Sequence, residues 1–133
     1  MRALCLALLA VVGIGCSSSP PPHEPGVRVE LAKTDLGVQP PVFRWDAPVA
    51  ARVTVQRGPT VVWEIAEADQ PGQRGPILSP LTYGTAVSAS SRLRVLVPPE
   101  PLLPQRVYSV TVIGYDGTVF EGTFSVNERI SVR

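Results

Sequence analysis

The chain has 133 residues, enough for one domain and its approach segments, and too short for two well-filled cores. Eleven Gly and 15 Pro against a single Met, with Val abundant, argue against a helical protein and for a turn-rich all-β one. The formal charge of +1 falls to zero if Arg2 is removed with a leader, so no electrostatic case for a nucleic-acid partner survives.

Reading begins at a positive start, Met1-Arg2, followed by a wholly apolar run over residues 3–12 (ALCLALLAVV) and then Gly13-Ile14-Gly15-Cys16. A membrane-spanning helix needs about 20 apolar residues, so a run of this length fits the core of an export signal better than a mature span. The small Gly15 immediately before Cys16 resembles the lipobox of bacterial lipoproteins, although Gly13 stands where Leu is usual. That resemblance implies cleavage before Cys16, a lipid on its thiol, and attachment to a membrane through acyl chains. It divides the chain into a signal peptide (1–15), a lipidated cysteine with its tether (16–26), and a domain (27–133). Ser17 follows the cysteine, and in the lipoprotein family a residue other than Asp there implies passage to the outer membrane of a host that has one.

The tether reads SSSPPPHEPG. Ser and Pro cannot build a core, and consecutive prolines favour an extended polyproline II spacer. The chain's one histidine, His23, falls in this spacer and reads as solvated. Cys5 lies in the leader and Cys16 closes it, so the body from Val27 has neither a thiol nor an imidazole.

From Val27 onward the apolar pattern has period two. Val27, Val29 and Leu31 alternate with polar or small residues, as do Val53 and Val55. Val61, Trp63 and Ile65 share one parity in TVVWEI, and Leu93, Val95 and Val97 do so in RLRVLV. Tyr108, Val110 and Val112 over 106–115, then Phe120, Phe124 and Val126 over 118–126, form a predicted hairpin with Asp116-Gly117 as a two-residue turn. The prolines fall mainly between these runs. About seven short strands predict an all-β fold, a single two-sheet antiparallel β-sandwich.

Within that pattern, Leu102-Leu103-Pro104-Gln105-Arg106-Val107-Tyr108 resembles the L-x-P-x-x-x-Y corner of fibronectin type III domains, and Trp45 in VFRWDAP is similar to that fold's early core tryptophan. The resemblance implies a fibronectin type III-like sandwich over about residues 27–126, with Tyr108 as a structural corner. The long loop of 68–80 and the sequences TVVWEI and SPLTYG depart from the family's pattern. WEI, LTYG and the corner together are also similar to small bacterial lipoproteins of no assigned activity.

Chemistry is sparse. Nucleophilic catalysis needs Ser, Thr or Cys beside a base, and with no His in the body, Ser88, Ser90 and Ser91 read as loop residues. Glu67 and Asp69 are the nearest acidic pair, without metal-ligand spacing, so neither a metal nor a cofactor is expected. Arg92 and Arg94 share a polar strand face, and the glycines form no phosphate loop. Trp63 and Tyr83 flank the long Pro/Gly loop and are the candidate interaction surface if exposed, or core residues if not. These features predict a membrane-anchored envelope lipoprotein whose domain is a non-catalytic interaction or assembly module with an envelope protein partner. A carbohydrate- or ligand-binding accessory domain, built on an exposed aromatic platform near 68–84, is the alternative, and a purely structural envelope role also remains. An enzyme is not expected.

Overall fold

The computed structural model describes residues 26–34, 37–47, 49–68, 75–85 and 92–132, and all regular structure among them is β. The strands are β1 (Arg28–Glu30), β2 (Lys33–Thr34), β3 (Gly37–Val38), β4 (Val42–Arg44), β5 (Val49–Ala50), β6 (Arg52–Arg57), β7 (Thr60–Glu67), β8 (Ile77–Leu78), β9 (Leu81–Thr82), β10 (Leu93–Val97), β11 (Val107–Ile113) and β12 (Val119–Ser125). A five-stranded sheet in the order β10-β7-β6-β11-β12 packs against a three-stranded sheet in the order β1-β4-β9, and all of these pairs are antiparallel. Two-stranded ribbons, β2-β3 and β5-β8, complete the fold. The architecture is the expected two-sheet antiparallel sandwich, but twelve strands are found where about seven were predicted. Four of the additional ones are the two-residue ribbon strands, which are too short to carry a periodic signal.

Alternation explains the core where strands are long and regular. Tyr108, Val110 and Val112 of β11 and Val53 and Val55 of β6 are fully buried, while Ser109, Thr111 and Thr54 between them are half-buried on the outer face. Phe120 and Phe124 of β12 continue the inner face. The Phe124 ring stacks on Tyr108 at 5.3 Å and meets Phe43 of β4 at 5.6 Å, which joins the two sheets. Val27, Trp45, Leu81, Leu102 and Ile130 fill the remainder.

Three local expectations are corrected. In β7 a bulge opposite the step from Val55 to Gln56 shifts the register, so Val62 and Trp63 are both buried and Val61 is only half-buried. In β10 a second irregularity between Val95 and Val97 breaks the single apolar face, and Val95 is exposed. Leu31 falls beyond the end of β1 and is exposed, since no sheet covers it.

The closing hairpin also departs from expectation, turning through three residues where a two-residue turn was expected. Ile113 pairs with Val119, Gly114 N donates to Thr118 O at 2.9 Å, and Gly117 N donates to Gly114 O at 3.1 Å. This makes Tyr115-Asp116-Gly117 a three-residue loop with Gly117 in the left-handed region at φ 81°, a bulged turn rather than one with positive φ at both central residues. Asp116 accepts a hydrogen bond from Thr118 N at 2.9 Å, and that bond holds its carboxyl below the usual range.

Both ends of the domain are tied in. Gly26 makes a parallel bridge to Glu121, with Val27 N donating to Glu121 O at 2.9 Å, so the chain enters along the free edge of β12 before β1 joins β4. Gly122 permits this approach: a Cβ there would lie 2.4 Å from the Val27 carbonyl oxygen. After β12, residues 126–132 run back beneath the sandwich. Val126 O accepts from Gln105 N, Leu102 and Ile130 exchange two backbone hydrogen bonds of 2.9 Å, and Val132 packs over Gly84.

Candidate functional site

Trp63 and Tyr83 are brought together, but inside the molecule. Trp63 is fully buried and Tyr83 is 1% exposed, and their rings meet edge-on with centroids 5.1 Å apart. The candidate interaction surface on these two residues is therefore corrected: the core alternative holds, because Trp63, paired with buried Val55, keeps the inward parity of Ile65, and Tyr83 follows the two-residue strand β9 into the gap behind it. The Tyr83 hydroxyl donates to Glu100 O at 2.7 Å and lies 3.3 Å from Val62 O, which itself accepts from Glu100 N. Burial first, with the nearby Tyr108 and Glu100 adding to it, pushes the Tyr83 phenol well above its ordinary value of 10.0. Its backbone hydrogen bond to Glu100 opposes that shift only in part. Trp63 Nε1 and Trp45 Nε1 are buried without an acceptor, so both indoles are held by packing rather than by polar recognition.

Tyr108 occupies the corner expected of it. Leu103 N donates to its hydroxyl at 2.8 Å across the turn at Pro104 and Gln105, and Gln105 takes the left-handed conformation at φ 58°. A fully buried phenol thus ties the crossing segment to β11. Its role here is structural.

Seven of the eight aromatic residues, Phe43, Trp45, Trp63, Tyr83, Tyr108, Phe120 and Phe124, are buried. The eighth, Tyr115, is 46% exposed in the hairpin loop and donates its hydroxyl to Glu67 Oε2 at 2.5 Å. An aromatic platform for stacking a sugar ring needs neighbouring exposed rings, and this single one does not make it. Sequence reasoning passed over Tyr115 because it treated Asp116-Gly117 as the whole turn. Its place inside a loop between two strands was the available signal.

Polar groups elsewhere pair at the surface. Arg28 with Asp46 and Lys33 with Glu128 lie at 3.0 Å, and Arg44 meets Glu30 at 2.5 Å. With partners this exposed, each contributes well under about 1 kcal/mol. Glu67 meets Tyr115 rather than a second acid, and among the described residues no group of His, Cys, Asp and Glu could hold a metal ion. Arg92 and Arg94 stand exposed at the outer edge of the five-stranded sheet, as their shared parity implied. Open concavities of about 130 Å³ beside Leu31, Val38 and the Lys33–Glu128 pair, about 420 Å³ over Gln56, Thr111 and Gly122, and about 570 Å³ beside Pro40, Gly84 and Val132 indent the surface. Cys16, His23, Asp69, Ser88, Ser90 and Ser91 lie outside the described residues. No helix among the described residues is long and apolar enough to cross a membrane. The chain matches no protein-family model, no curated protein and no solved structure.

Proposed function

We propose that this chain is an exported lipoprotein of the bacterial envelope, and that its fibronectin type III-like sandwich acts as a non-catalytic interaction or assembly module held at the membrane by lipid on Cys16. The observation that carries the reading is the Gly15-Cys16 junction at the end of an apolar run preceded by Arg2. Each acyl chain contributes about 0.8 kcal/mol per buried CH₂, so a diacylated cysteine with a further chain makes a stable anchor. The order of parts supports it as well. The Ser/Pro-rich stretch that would serve as the tether lies between Cys16 and the first strand, β1. The body behind it offers no His or Cys for nucleophilic chemistry, and seven of its eight aromatic side chains are committed to the core, which favours its outer surface as the working part.

Metabolic labelling with a fatty-acid analogue tests the anchor. The wild-type chain should take up label and be cleaved, and Cys16→Ser should remain unlabelled, uncleaved precursor, because acylation needs the thiol and processing follows it. Label that persists in Cys16→Ser, or is absent from the wild type, refutes the reading.

A further inference from the structure

Charge is paired off over most of the described surface. Arg28 meets Asp46, Lys33 meets Glu128 and Arg44 meets Glu30, while Arg52 and Arg57 each lie 3.8 Å from a carboxylate, those of Glu64 and Glu100. Arg92 and Arg94 have contacts of their own. Among the described residues, that leaves Arg106 and Arg129 as the basic side chains without a partner, and both are exposed. Glu128, which precedes Arg129 in the chain, is taken by Lys33 at 3.0 Å.

The two arginines come from segments distant in sequence that the fold locks side by side. Arg106 follows Gln105, whose N–H donates to Val126 O at 3.1 Å, and Arg129 precedes Ile130, which exchanges two bonds of 2.9 Å with Leu102. Leu102 and Gln105 are three residues apart, so these ties stand no more than about 11 Å from one another. The Tyr108 hydroxyl, accepting from Leu103 N, holds the turn between them. Next to Arg106 stands Val107, which at 69% is the most exposed of the described large apolar side chains.

A guanidinium presents a planar fork of donors that matches a carboxylate, and arginine is enriched where proteins bind one another. Two cations are too few for an anionic membrane, where electrostatic attachment takes clusters of about four to eight. We propose that the floor of the sandwich at Arg106 and Arg129, rimmed by Val107, is a docking surface, and that its occupant is an acidic segment of a protein partner whose carboxylates close on the two guanidiniums. This names the surface and the partner chemistry of the interaction module, and it rests on that reading rather than on the lipid anchor.

A photoreactive residue in place of Val107 in the full chain, expressed in its host cell, tests the proposal, with the same residue in place of Leu78 or Val119 for reference. The expected result at 107 is a protein adduct whose crosslinked peptide is rich in Asp and Glu. Arg106→Glu combined with Arg129→Glu should reduce that adduct at least about tenfold, because like charges set against one another across an interface repel. The urea midpoint of the double variant should stay at the wild-type value, since neither side chain has a partner to lose. An adduct indifferent to the double reversal, one with a neutral or basic peptide, or label on lipid alone overturns the docking surface. A midpoint that drops together with the adduct assigns the arginines to the fold and overturns it too. If 107 gives no adduct while 78 or 119 does, the docking surface falls and the interaction module stands; no adduct at any of these positions refutes both.

Discussion

Tyr83 gives the sharpest test of the interior assignment, because its ring and its hydroxyl do separable work. Tyr83→Phe keeps the edge-on contact with Trp63 and removes the hydrogen bond to Glu100 O at 2.7 Å. Val62 O keeps Glu100 N as a partner, so one acceptor is left short and the loss should be about 1–2 kcal/mol. With a urea m-value of about 1–3 kcal/mol/M, the midpoint should fall by about 0.5–1 M. Tyr83→Ala also empties the space of the ring, a loss of about 3–5 kcal/mol and thus a large part of a small domain's stability.

The same residue predicts an alkaline signature. Its phenol is raised in the folded state above the ordinary 10.0, so as pH rises the unfolded chain gives up that proton first. The associated stability is complete below about pH 10 and is lost above it at up to about 1.4 kcal/mol per pH unit. Urea unfolding of the domain from Gly26 onward, which contains the whole core cluster, can be run between pH 8 and about pH 11 on wild type and Tyr83→Phe. The wild type should lose more stability than the variant over the upper part of that range. Equal slopes, or an unmoved midpoint in Tyr83→Ala, would show that the hydroxyl is solvated and that the cluster with Trp63 was misassigned.

Tyr108→Phe should lower the urea midpoint by an amount equivalent to about 0.5–1.5 kcal/mol, since Leu103 N loses its acceptor at a fully buried phenol; an unchanged midpoint would remove the corner, and the likeness to fibronectin type III domains with it. Gly122→Ala should cost about 1–3 kcal/mol, because its new methyl would lie 2.4 Å from the Val27 carbonyl and backbone cannot yield cheaply there. Hydrogen exchange should quicken at the Val27 amide more than at Val110, and uniform exchange with unchanged stability would refute the close approach.

Legibility in the sequence followed strand length and regularity. Along β11 and β12 the parity of Tyr108, Val110, Val112, Phe120 and Phe124 matched their burial, because seven-residue strands with one covered face repeat the signal several times. At β7 the parity of Val61, Trp63 and Ile65 misled for Val61 alone, since a bulge adds a residue without leaving a mark in composition. Strands of two residues, such as β5 and β9, have no period at all, and what positions Ala50 or Tyr83 is a partner many residues away. The candidate surface failed for the same reason. Whether Tyr83 faced water depended on its long-range meeting with Trp63, which a local pattern does not contain. The Tyr108 corner was legible because its seven residues are contiguous.

The backward run of residues 126–132 has a consequence for when the protein can become itself. Ile130 is almost wholly enclosed and its reciprocal bonds to Leu102 close the floor of the sandwich, while at the other extreme of the domain Val27 waits for Glu121. Val27 does not find its place until the chain has been made as far as Glu121, nor Leu102 until Ile130 follows, and contacts distant in sequence form slowly. A nascent chain of this design stays threadable for most of its synthesis. In a chain exported as proposed above, that delay would separate transport from folding.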